Sequence, residues 1–266
     1  MILQFNKYLI IALLVFSISC TERGHKAFSF VQLCDTQLGF GSEGYENDIE
    51  KFKRAVVQIN ELNPDFVVIC GDLVNTPNDS SFSDFKEIIG GFKMPCYNAP
   101  GNHDVGNIPN DTILNYYRKT IGTDYYEFHH NGYSFIVTNT QLWQVNVSDE
   151  SEKHDRWFKE TLNKQSIKKY PIVVIGHHPL YVETPKEKDS YKNLSLNKRQ
   201  ELLTLFLQNN VIAYLSGHAH KVIINNYENI QLVSGETTSK NRDKRPFGFR
   251  LWQVSSDTIR HHFVPL

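Results

Sequence analysis

The sequence predicts a layered α/β fold in one domain. The chain has 266 residues, 40% of them hydrophobic, and apolar runs of strand length alternate with amphipathic stretches of helix length. A chain of this size and composition can bury one substantial core. Most of the apolar runs are hydrophobic at every position, which is typical of central strands covered on both faces. We therefore expect a sheet-based core flanked by helices, in a domain that spans residues 27–266.

Seven apolar runs are the predicted strands. In chain order they are FSFVQL, DFVVIC, CYNAP, YSFIVTN, IVVIG, VIAYLS and IQLVSG. The amphipathic stretches between them predict helices near residues 46–62, 82–91, 111–121, 151–168 and 196–209. The last stretch, FGFRLWQVSSDTIRHHFV, alternates in polarity and breaks at SSD, which predicts a closing hairpin.

The N-terminus predicts export. Lys7 precedes an uncharged stretch that is shorter than the roughly 20 residues of a membrane-spanning helix. Ser17 and Ser19 come just before Cys20, a pattern that resembles a bacterial lipoprotein signal whose cysteine becomes lipidated. We expect residues 1–19 to be a lipoprotein-type signal peptide and a lipid on Cys20 to anchor the protein to the membrane of the bacterial cell envelope. A soluble periplasmic or secreted protein is the alternative.

Charge and cysteine content exclude other classes of site. The formal net charge of -1 gives no general attraction to polyanions, so no specific nucleic acid partner is expected. Cys34, Cys70 and Cys96 lie in apolar runs without a CxxC pair, which favours buried core residues over zinc ligands or a disulfide framework. We expect a monomer.

Five polar clusters follow predicted strands, at the edge where ligand sites of open α/β sheets lie. They are Asp35 with Gln37, GDLVN at 71–75, GNHD at 101–104, GHHP at 176–179 and GHAH at 217–220. Each offers oxygen or nitrogen donors that bind divalent metal ions. In extended backbone, residues i and i+2 face the same side, so each of the pairs Asp35/Gln37 and His218/His220 is expected to point into one cavity.

The number of candidate ligands exceeds what one ion needs. There are seven: Asp35, Gln37, Asp72, Asn102, His177, His218 and His220. This number suits two metal ions that share a carboxylate, and Asp72 is the natural bridge. Each cluster alone has an ordinary explanation, such as a turn, a helix cap or packing histidines, but their joint occurrence favours a metal site. The backbone freedom and close approach that such a site needs are expected at Gly71, Gly101, Gly176 and Gly217.

These five blocks, in this order, resemble the calcineurin-like metallophosphoesterases. The likeness is greatest to the calcineurin-like phosphoesterase domain-containing protein 1 group, on DTQLGF, GDLVN, GNHDVGN, NTQLW, YKNLSLNKRQEL and KRPFGFRLWQV. The resemblance implies a four-layer α/β/β/α sandwich, in which two central sheets pack together and helices cover them. It also implies two divalent metal ions. The first would be held by Asp35, Gln37, Asp72 and His220, and the second by Asp72, Asn102, His177 and His218.

The resemblance also implies catalytic roles. His103 would be the general acid, and Asp104 and Asn75 would hold His103 and the metal loop in place. In GHHP, His177 is the expected ligand because it stands two residues before the proline, and His178 would face the substrate or pack. Most family members have histidine at the position of Gln37. Since an amide oxygen is a harder and weaker donor than imidazole, we expect Mn²⁺, Fe²⁺ or Mg²⁺ at this site, with Zn²⁺ as a further possibility.

The implied activity is hydrolysis of phosphomonoesters by a metal-bound hydroxide. The substrate would be a phosphorylated small molecule or a phosphoprotein. A phosphodiesterase or nucleotide pyrophosphatase is the alternative enzyme, and a surface binding protein on the same scaffold is the alternative without catalysis. Four basic residues of the loop at 236–247 would neutralise a second phosphate or an acidic segment, or would simply be solvated: Lys240, Arg242, Lys244 and Arg245. Three aromatic residues would stack on a substrate or pack in the core: Trp143, Tyr181 and Tyr191.

Overall fold

Two β-sheets form the centre of the fold. The computed structural model describes residues 26–255 and 258–266, so the predicted signal peptide and Cys20 lie outside the described residues. The five strands of the first sheet are β1 (Phe28–Leu33), β2 (Phe66–Cys70), β3 (Cys96–Ala99), β10 (Gly248–Val254) and β11 (Ile259–Pro265). The six strands of the second sheet are β4 (Tyr126–His130), β5 (Tyr133–Val137), β6 (Ile172–Ile175), β7 (Val211–Ser216), β8 (Ile223–Tyr227) and β9 (Ile230–Ser234).

The strand order places parallel strands in the middle of each sheet. The first sheet runs β11-β10-β1-β2-β3 and the second runs β4-β5-β6-β7-β9-β8. Strands β1, β2 and β3 are mutually parallel, as are β5, β6, β7 and β9. Parallel neighbours end at the same edge of a sheet. The polar clusters that follow β1, β2, β3, β6 and β7 are therefore gathered at the carboxyl edges of the two sheets.

Helices cover the outer face of each sheet. Their bounds are α1 (Tyr45–Leu62), α2 (Asp79–Ile89), α3 (Asn102–Val105), α4 (Asp111–Thr120), α5 (Gln141–Gln144), α6 (Ser148–Ile167) and α7 (Leu196–Gln208). Helix α2 begins three residues earlier than predicted because Asn78 and Ser81 cap each other. Asn78 Oδ1 accepts from Ser81 N at 3.0 Å, and Ser81 Oγ accepts from Asn78 N at 3.1 Å.

The core has three apolar layers, and alternate residues of one strand contribute to different layers. Val68 and Cys70 of β2 lie between the two sheets, whereas Val67 and Ile69 face the side covered by α1 and α2. The third layer joins the other face of the second sheet to α6 and α7. The order of layers is therefore helix, sheet, sheet, helix, and the predicted α/β/β/α sandwich is confirmed.

All seven predicted strands, the five longer helices and the closing hairpin are present. The sequence did not indicate β4, β8 or the one-turn helices α3 and α5. Strands β4 (YEFHH) and β8 (IINNY) are the two edge strands of the second sheet, so they lack the apolar run that marks a central strand. Cys34 and Cys70 are buried, Cys96 is half-buried, and all three are free thiols. In the described part of the chain, no helix is long and apolar enough to cross a bilayer.

Candidate metal centre

The carboxyl edges of the two sheets meet, and the candidate ligands come together there. Asp35 follows β1, Asp72 follows β2 and Asn102 follows β3, while His177 follows β6 and His218 follows β7. All seven candidate ligand side chains are buried, each with an exposed fraction of 5% or less. The oxygen donors therefore come from the first sheet and the imidazole donors from the second.

Two groups of three ligands share one carboxylate. The first consists of Asp35, Asp72 and His220, and the second of Asp72, His177 and His218; within each group the ligand atoms lie within 4.8 Å of one another. His177 Nε2 lies 3.3 Å from Asp72 Oδ2, and His220 Nε2 lies 3.7 Å from Asp35 Oδ1. Asp72 thus occupies the bridging position between the two groups.

Asn102 and Gln37 add an amide oxygen beside these groups. Asn102 Oδ1 lies 3.1 Å from His177 Nε2, and Asn102 Nδ2 donates to Asn107 Oδ1 at 3.1 Å, which fixes the orientation of the amide. Gln37 Nε2 donates to Asn75 Oδ1 at 3.4 Å, while Gln37 Oε1 is buried and receives no hydrogen bond from residues 26–255 or 258–266. A buried acceptor without a donor costs free energy. A metal ion would satisfy Gln37 Oε1, so the donor set fits a dimetal centre.

The backbone is left-handed at five of the seven candidate ligands. The φ angles are 48° at Asp35, 29° at Gln37, 51° at Asp72, 66° at His218 and 50° at His220. The expectation that extended backbone turns residues i and i+2 to one side is therefore wrong for both pairs. Left-handed conformations are costly for residues other than glycine and concentrate at functional sites, where the surrounding structure holds them.

Backbone carbonyl groups orient the four histidines of the site. Nδ1 of His103, His177 and His220 faces the carbonyl oxygens of Asn75 (2.9 Å), Cys70 (2.8 Å) and Lys240 (2.8 Å), respectively. In His218 it is Nε2 that faces a carbonyl oxygen, that of Tyr191, at 2.8 Å. A ring nitrogen that donates to a carbonyl leaves the other nitrogen with its lone pair. The opposite nitrogen of each ligand histidine, Nδ1 in His218 and Nε2 in His177 and His220, is therefore free to coordinate.

Two glycines allow this close assembly. Gly71 has a φ of 79°, and a Cβ atom there would lie 2.6 Å from His177 Nδ1. A Cβ atom on Gly101 would lie 2.1 Å from Asp72 Oδ1. Any larger residue at either position would displace a candidate ligand.

Comparison with known proteins agrees with this geometry. The family model described as calcineurin-like phosphoesterase matches residues 28–222. The chain belongs to the calcineurin-like phosphoesterase family. It is 30% identical to the human serine/threonine-protein phosphatase CPPED1 over 264 residues, 90% of this chain and 84% of that protein. It is 26% identical to the 3',5'-cyclic adenosine monophosphate phosphodiesterase CpdA of Haemophilus influenzae, over 78% of this chain and 75% of that protein.

Solved structures share the fold. A dimetal phosphatase from Danio rerio superposes with a TM-score of 0.63 at 16% identity, over 88% of this chain and 98% of that chain. The predicted family is thus confirmed, and with it membership of a family of hydrolases, which leaves no reason to prefer a binding protein on the same scaffold. The matched relatives include phosphatases and a phosphodiesterase. The comparisons therefore indicate cleavage of phosphate ester bonds, and they do not distinguish monoesters from diesters.

Electrostatics show that this phosphoesterase site attracts positive charge. Burial opposes ionisation of Asp72, but the nearby His177, His103 and His218 hold the pKa of its carboxyl group below the usual range. Burial lowers the pKa of His177, yet the Asp72 carboxylate outweighs burial and raises this pKa to about 10. Burial, with the charge of Asp72, raises the pKa of Asp35. Buried carboxylates of this kind are stabilised by cations.

Asp104 lies behind the candidate ligands. Its carboxylate accepts hydrogen bonds from the backbone N–H groups of Leu73 (2.9 Å), Val74 (3.2 Å) and Gly101 (2.8 Å). Burial and the charge of Asp72 raise the pKa of Asp104 to about 7. Asp104 therefore braces the loop that carries Asp72, and its hydrogen bonds are to backbone groups of the metal loop, not to the His103 ring.

The structure distinguishes the two histidines of GHHP. His177 lies beside Asp72 and Asn102, whereas His178 Nδ1 lies 3.2 Å from Thr140 Oγ1 and its ring packs 4.1 Å from that of His218. Burial, reinforced by the two neighbouring histidines, lowers the pKa of His178 well below its usual value. His178 thus packs beneath the site as a neutral ring.

Sequence reasoning gave no role to Phe40, whose ring lies 5.8 Å from that of His103 and 5.0 Å from that of His220. The ammonium group of Lys240 lies 4.9 Å from the centre of the same ring. Phe40 stands in the DTQLGF segment, only three residues after Gln37, and this proximity was the available signal. The ring forms a wall of the site between the general-acid candidate and the first metal group.

The other aromatic and basic candidates divide between core and site. Trp143 and Tyr181 are buried in the layer beneath α6 and α7, so they pack. Tyr191 is 58% exposed and its ring lies 4.7 Å from that of His218, so it borders the site. Of the basic loop, Arg242 N donates to the His220 carbonyl at 2.7 Å, whereas the Arg245 guanidinium is 3.4 Å from Glu236.

Proposed function

We propose that the protein is a metal-dependent phosphomonoesterase. The observation that carries the proposal is the pair of ligand groups that share Asp72, with His103 next to them. The backbone N–H of His103 donates to Asp72 Oδ1 at 2.9 Å, so this residue is anchored to the bridging carboxylate. The similarity to a protein phosphatase supports the monoester as substrate.

Two divalent ions fit the donors that the fold brings together. We assign Asp35, Gln37, Asp72 and His220 to the first ion, and Asp72, Asn102, His177 and His218 to the second. When bound, such ions generate a nucleophile from water near neutral pH and polarise the phosphoryl oxygens. The amide oxygen of Gln37 favours Mn²⁺, Fe²⁺ or Mg²⁺ at the first position.

His103 supplies the proton for the leaving group in this proposal. Its Nδ1–H is held by the Asn75 carbonyl, which leaves Nε2 for the departing oxygen, and in the imidazolium form of the ring Nε2 carries the proton that passes to that oxygen. General acid catalysis of this kind contributes on the order of 10² to 10⁴ in rate. The ring of Phe40 lies beside that of His103, at 5.8 Å between the ring centres. Asp104 and Asn75 act as positioning residues, because their hydrogen bonds hold the loops that carry Asp72 and His103.

The test compares His103→Ala with Asp72→Asn. His103→Ala should retain two metal ions by elemental analysis and lose turnover, most strongly for phosphate esters with poor leaving groups. Asp72→Asn should lose both metal and turnover, and exposed His262→Ala serves as the matched control. Full activity of Asp72→Asn, or of the metal-depleted protein, would contradict the proposal.

A phosphodiesterase or pyrophosphatase is the second candidate. The similarity to CpdA supports it, and so does the position of Lys240 and Arg242 beside His220, where they can neutralise a second phosphate. Comparison of 4-nitrophenyl phosphate, its bis-ester and a panel of nucleotides distinguishes the two. Turnover of the monoester alone supports the first candidate, and faster turnover of the bis-ester or of diphosphates supports the second.

We further propose that the protein is exported and attached to the membrane of a bacterial cell envelope through a lipid on Cys20. The pattern of the first 20 residues supports this location. Its substrate there would be a phosphorylated small molecule, with a phosphoprotein as the alternative that the similarity to CPPED1 supports. Labelling with a radioactive fatty acid tests the anchor, and absence of label that depends on Cys20 would overturn it.

A further inference from the structure

A cavity of about 430 Å³ opens directly from the proposed active site. Asn102 and His103 form one end of it, so it begins at a candidate metal ligand and at the proposed general acid. The rest of its wall comes from the loop that precedes α2, the loop between α3 and α4, and α4 itself: Pro77, Gly106, Asn107, Thr112, Ile113 and Tyr116. Cavities of this volume hold small organic groups.

The lining of this cavity carries no permanent charge. Apart from His103, the residues named above are all neutral, and Pro77, Ile113 and the Tyr116 ring present apolar surface. The hydroxyl of Tyr116 donates to Asp79 Oδ1 at 2.8 Å, so the charged group that contacts this side of the lining is a carboxylate. A negatively charged group that enters the cavity would meet no cation among the lining residues other than His103 and would approach Asp79, whereas an uncharged group would gain apolar contact.

The opposite wall of the site has the other character. Lys240 Nζ lies over the Phe40 ring, and Arg242 is bound through its backbone to His220. The Phe40 ring contacts both imidazoles, at 5.0 Å from the ring of His220 and 5.8 Å from that of His103. Two basic residues are thus bound through their backbones to His220, whereas the residues that line the cavity beside His103 are neutral.

From this asymmetry we infer that the cavity is the leaving-group subsite, and that it selects monoesters of uncharged alcohols with aryl or alkyl surface. This inference rests on the proposed function, because His103 must face the leaving oxygen. In the reaction, a water oxygen bonds to phosphorus as the ester P–O bond breaks, the proton of His103 passes to the departing oxygen, and one proton released from the attacking water restores the protonated His103. The released alcohol then occupies the neutral cavity.

Asn107 couples this subsite to the metal centre. Its Oδ1 accepts from Asn102 Nδ2 at 3.1 Å, and its backbone carbonyl accepts from Gln141 Nε2 at 2.6 Å. Gln141 thereby holds this wall of the cavity in place, and Asn107 aims Asn102 Oδ1 at His177. Asn107 is a positioning residue for the second metal group and also part of the leaving-group wall.

The test uses two substrates whose leaving groups have similar basicity and different charge: 4-nitrophenyl phosphate and inorganic pyrophosphate. We expect kcat/KM of the Mn²⁺-loaded wild type to favour the aryl ester by about tenfold or more, since one unfavourable ionic contact has an effect of this size. Ile113→Lys should lower this ratio at least about tenfold. Ile108→Lys is the matched control, because Ile108 is 77% exposed and does not line the cavity.

A second variant and a binding measurement guard against indirect effects. Thr112 is exposed on the first turn of α4, so Thr112→Lys places a cation at the cavity without disturbing the core. This variant replaces Ile113→Lys if that protein does not fold. Calorimetric titration of 1-naphthol into the metal-free protein measures the cavity without turnover. We expect binding to the wild type and to Ile108→Lys, and binding at least about fivefold weaker in the cavity variants.

The outcomes separate the subsite from the activity. Equal turnover of both substrates, or equal ratios in the cavity variants and in Ile108→Lys, would overturn the subsite while the phosphoesterase activity stands. Hydrolysis of neither substrate by the metal-loaded protein would overturn the proposed function. In that case the naphthol titration alone tests the subsite. If 1-naphthol does not bind, or binds equally well to Ile113→Lys, the inference that the cavity is a leaving-group subsite is wrong.

Discussion

Replacement of His154 by phenylalanine should remove a large part of the acid sensitivity of the fold. His154 of α6 is fully buried among the rings of Tyr125, Trp143 and Trp157, and neither of its ring nitrogens has a hydrogen-bond partner in the described part of the chain. Burial lowers its pKa from 6.5 to about 3, against a smaller opposing effect of Asp124. The imidazole is therefore neutral in the folded protein at any pH above this value.

The sign and size of the effect follow from proton linkage. Between pH 3 and 6.5 the unfolded chain binds a proton at His154 that the folded chain does not bind, so acid favours unfolding. With these two pKa values, the free energy of unfolding falls by about 2 kcal/mol between pH 7 and pH 5 because of this residue alone. Phenylalanine has no such proton and should abolish this contribution. The loss of an unpaired polar ring should also offset part of any strain from the larger side chain.

Urea unfolding at pH 7 and pH 5, in EDTA to exclude metal linkage, measures this difference. The change in unfolding free energy between the two pH values should be smaller by about 2 kcal/mol in His154→Phe than in the wild type. His262→Gln, an exposed control, should keep the wild-type difference. If His154→Phe retains the full wild-type dependence on pH, the reasoning from burial is refuted.

Three further predictions concern the metal centre. Gly101→Ala should fold but bind less metal, measured by elemental analysis, because its Cβ would lie 2.1 Å from Asp72 Oδ1; full metal content would contradict this. Gln37→His should raise the affinity for Zn²⁺ in competition titrations by about tenfold or more, since imidazole is the softer donor, and unchanged affinity would show that Gln37 does not tune the site. Asn75→Ala removes the group that orients the Gln37 amide but keeps the carbonyl that holds His103. It should therefore raise the Mn²⁺ concentration needed for half-maximal activity and leave the dependence on leaving-group basicity unchanged; an altered leaving-group dependence would count against these separate roles.

The sequence contained most of the information on which groups meet. Asp35, Asp72, Asn102, His177 and His218 each follow an apolar strand, and chain order alone places such residues at the carboxyl edge of a sheet. Local patterns could not show that the backbone is left-handed at Asp35, Asp72 and His218, because this conformation depends on contacts between loops. For the same reason, the expectation that residues i and i+2 point into one cavity rested on an extended backbone, which the protein does not have at these pairs.

The sequence also could not show which backbone groups contact the side chains of the site. The carbonyl groups of Asn75, Cys70, Tyr191 and Lys240 decide which nitrogen of each histidine is free, and a carbonyl group has no residue-type signature. The sequence did not predict the edge strands β4 and β8 for a related reason. Only one side of an edge strand pairs with a neighbour and its faces are partly solvated, so its residues need not be apolar.

The division of donors between the two sheets links metal binding to the packing of the sandwich. All four oxygen donors follow strands of the first sheet, whereas the three imidazoles follow strands of the second. Hydrogen bonds cross between them at the site: among these, the His218 backbone N–H donates to Asp35 Oδ1 at 2.9 Å, and His177 Nδ1 lies 2.8 Å from the Cys70 carbonyl. Neither sheet alone offers a complete ligand set, so ions that bind here bind the packed state and stabilise it by mass action. Conversely, a substitution that loosens the apolar layer between the sheets weakens metal binding even when every ligand is intact.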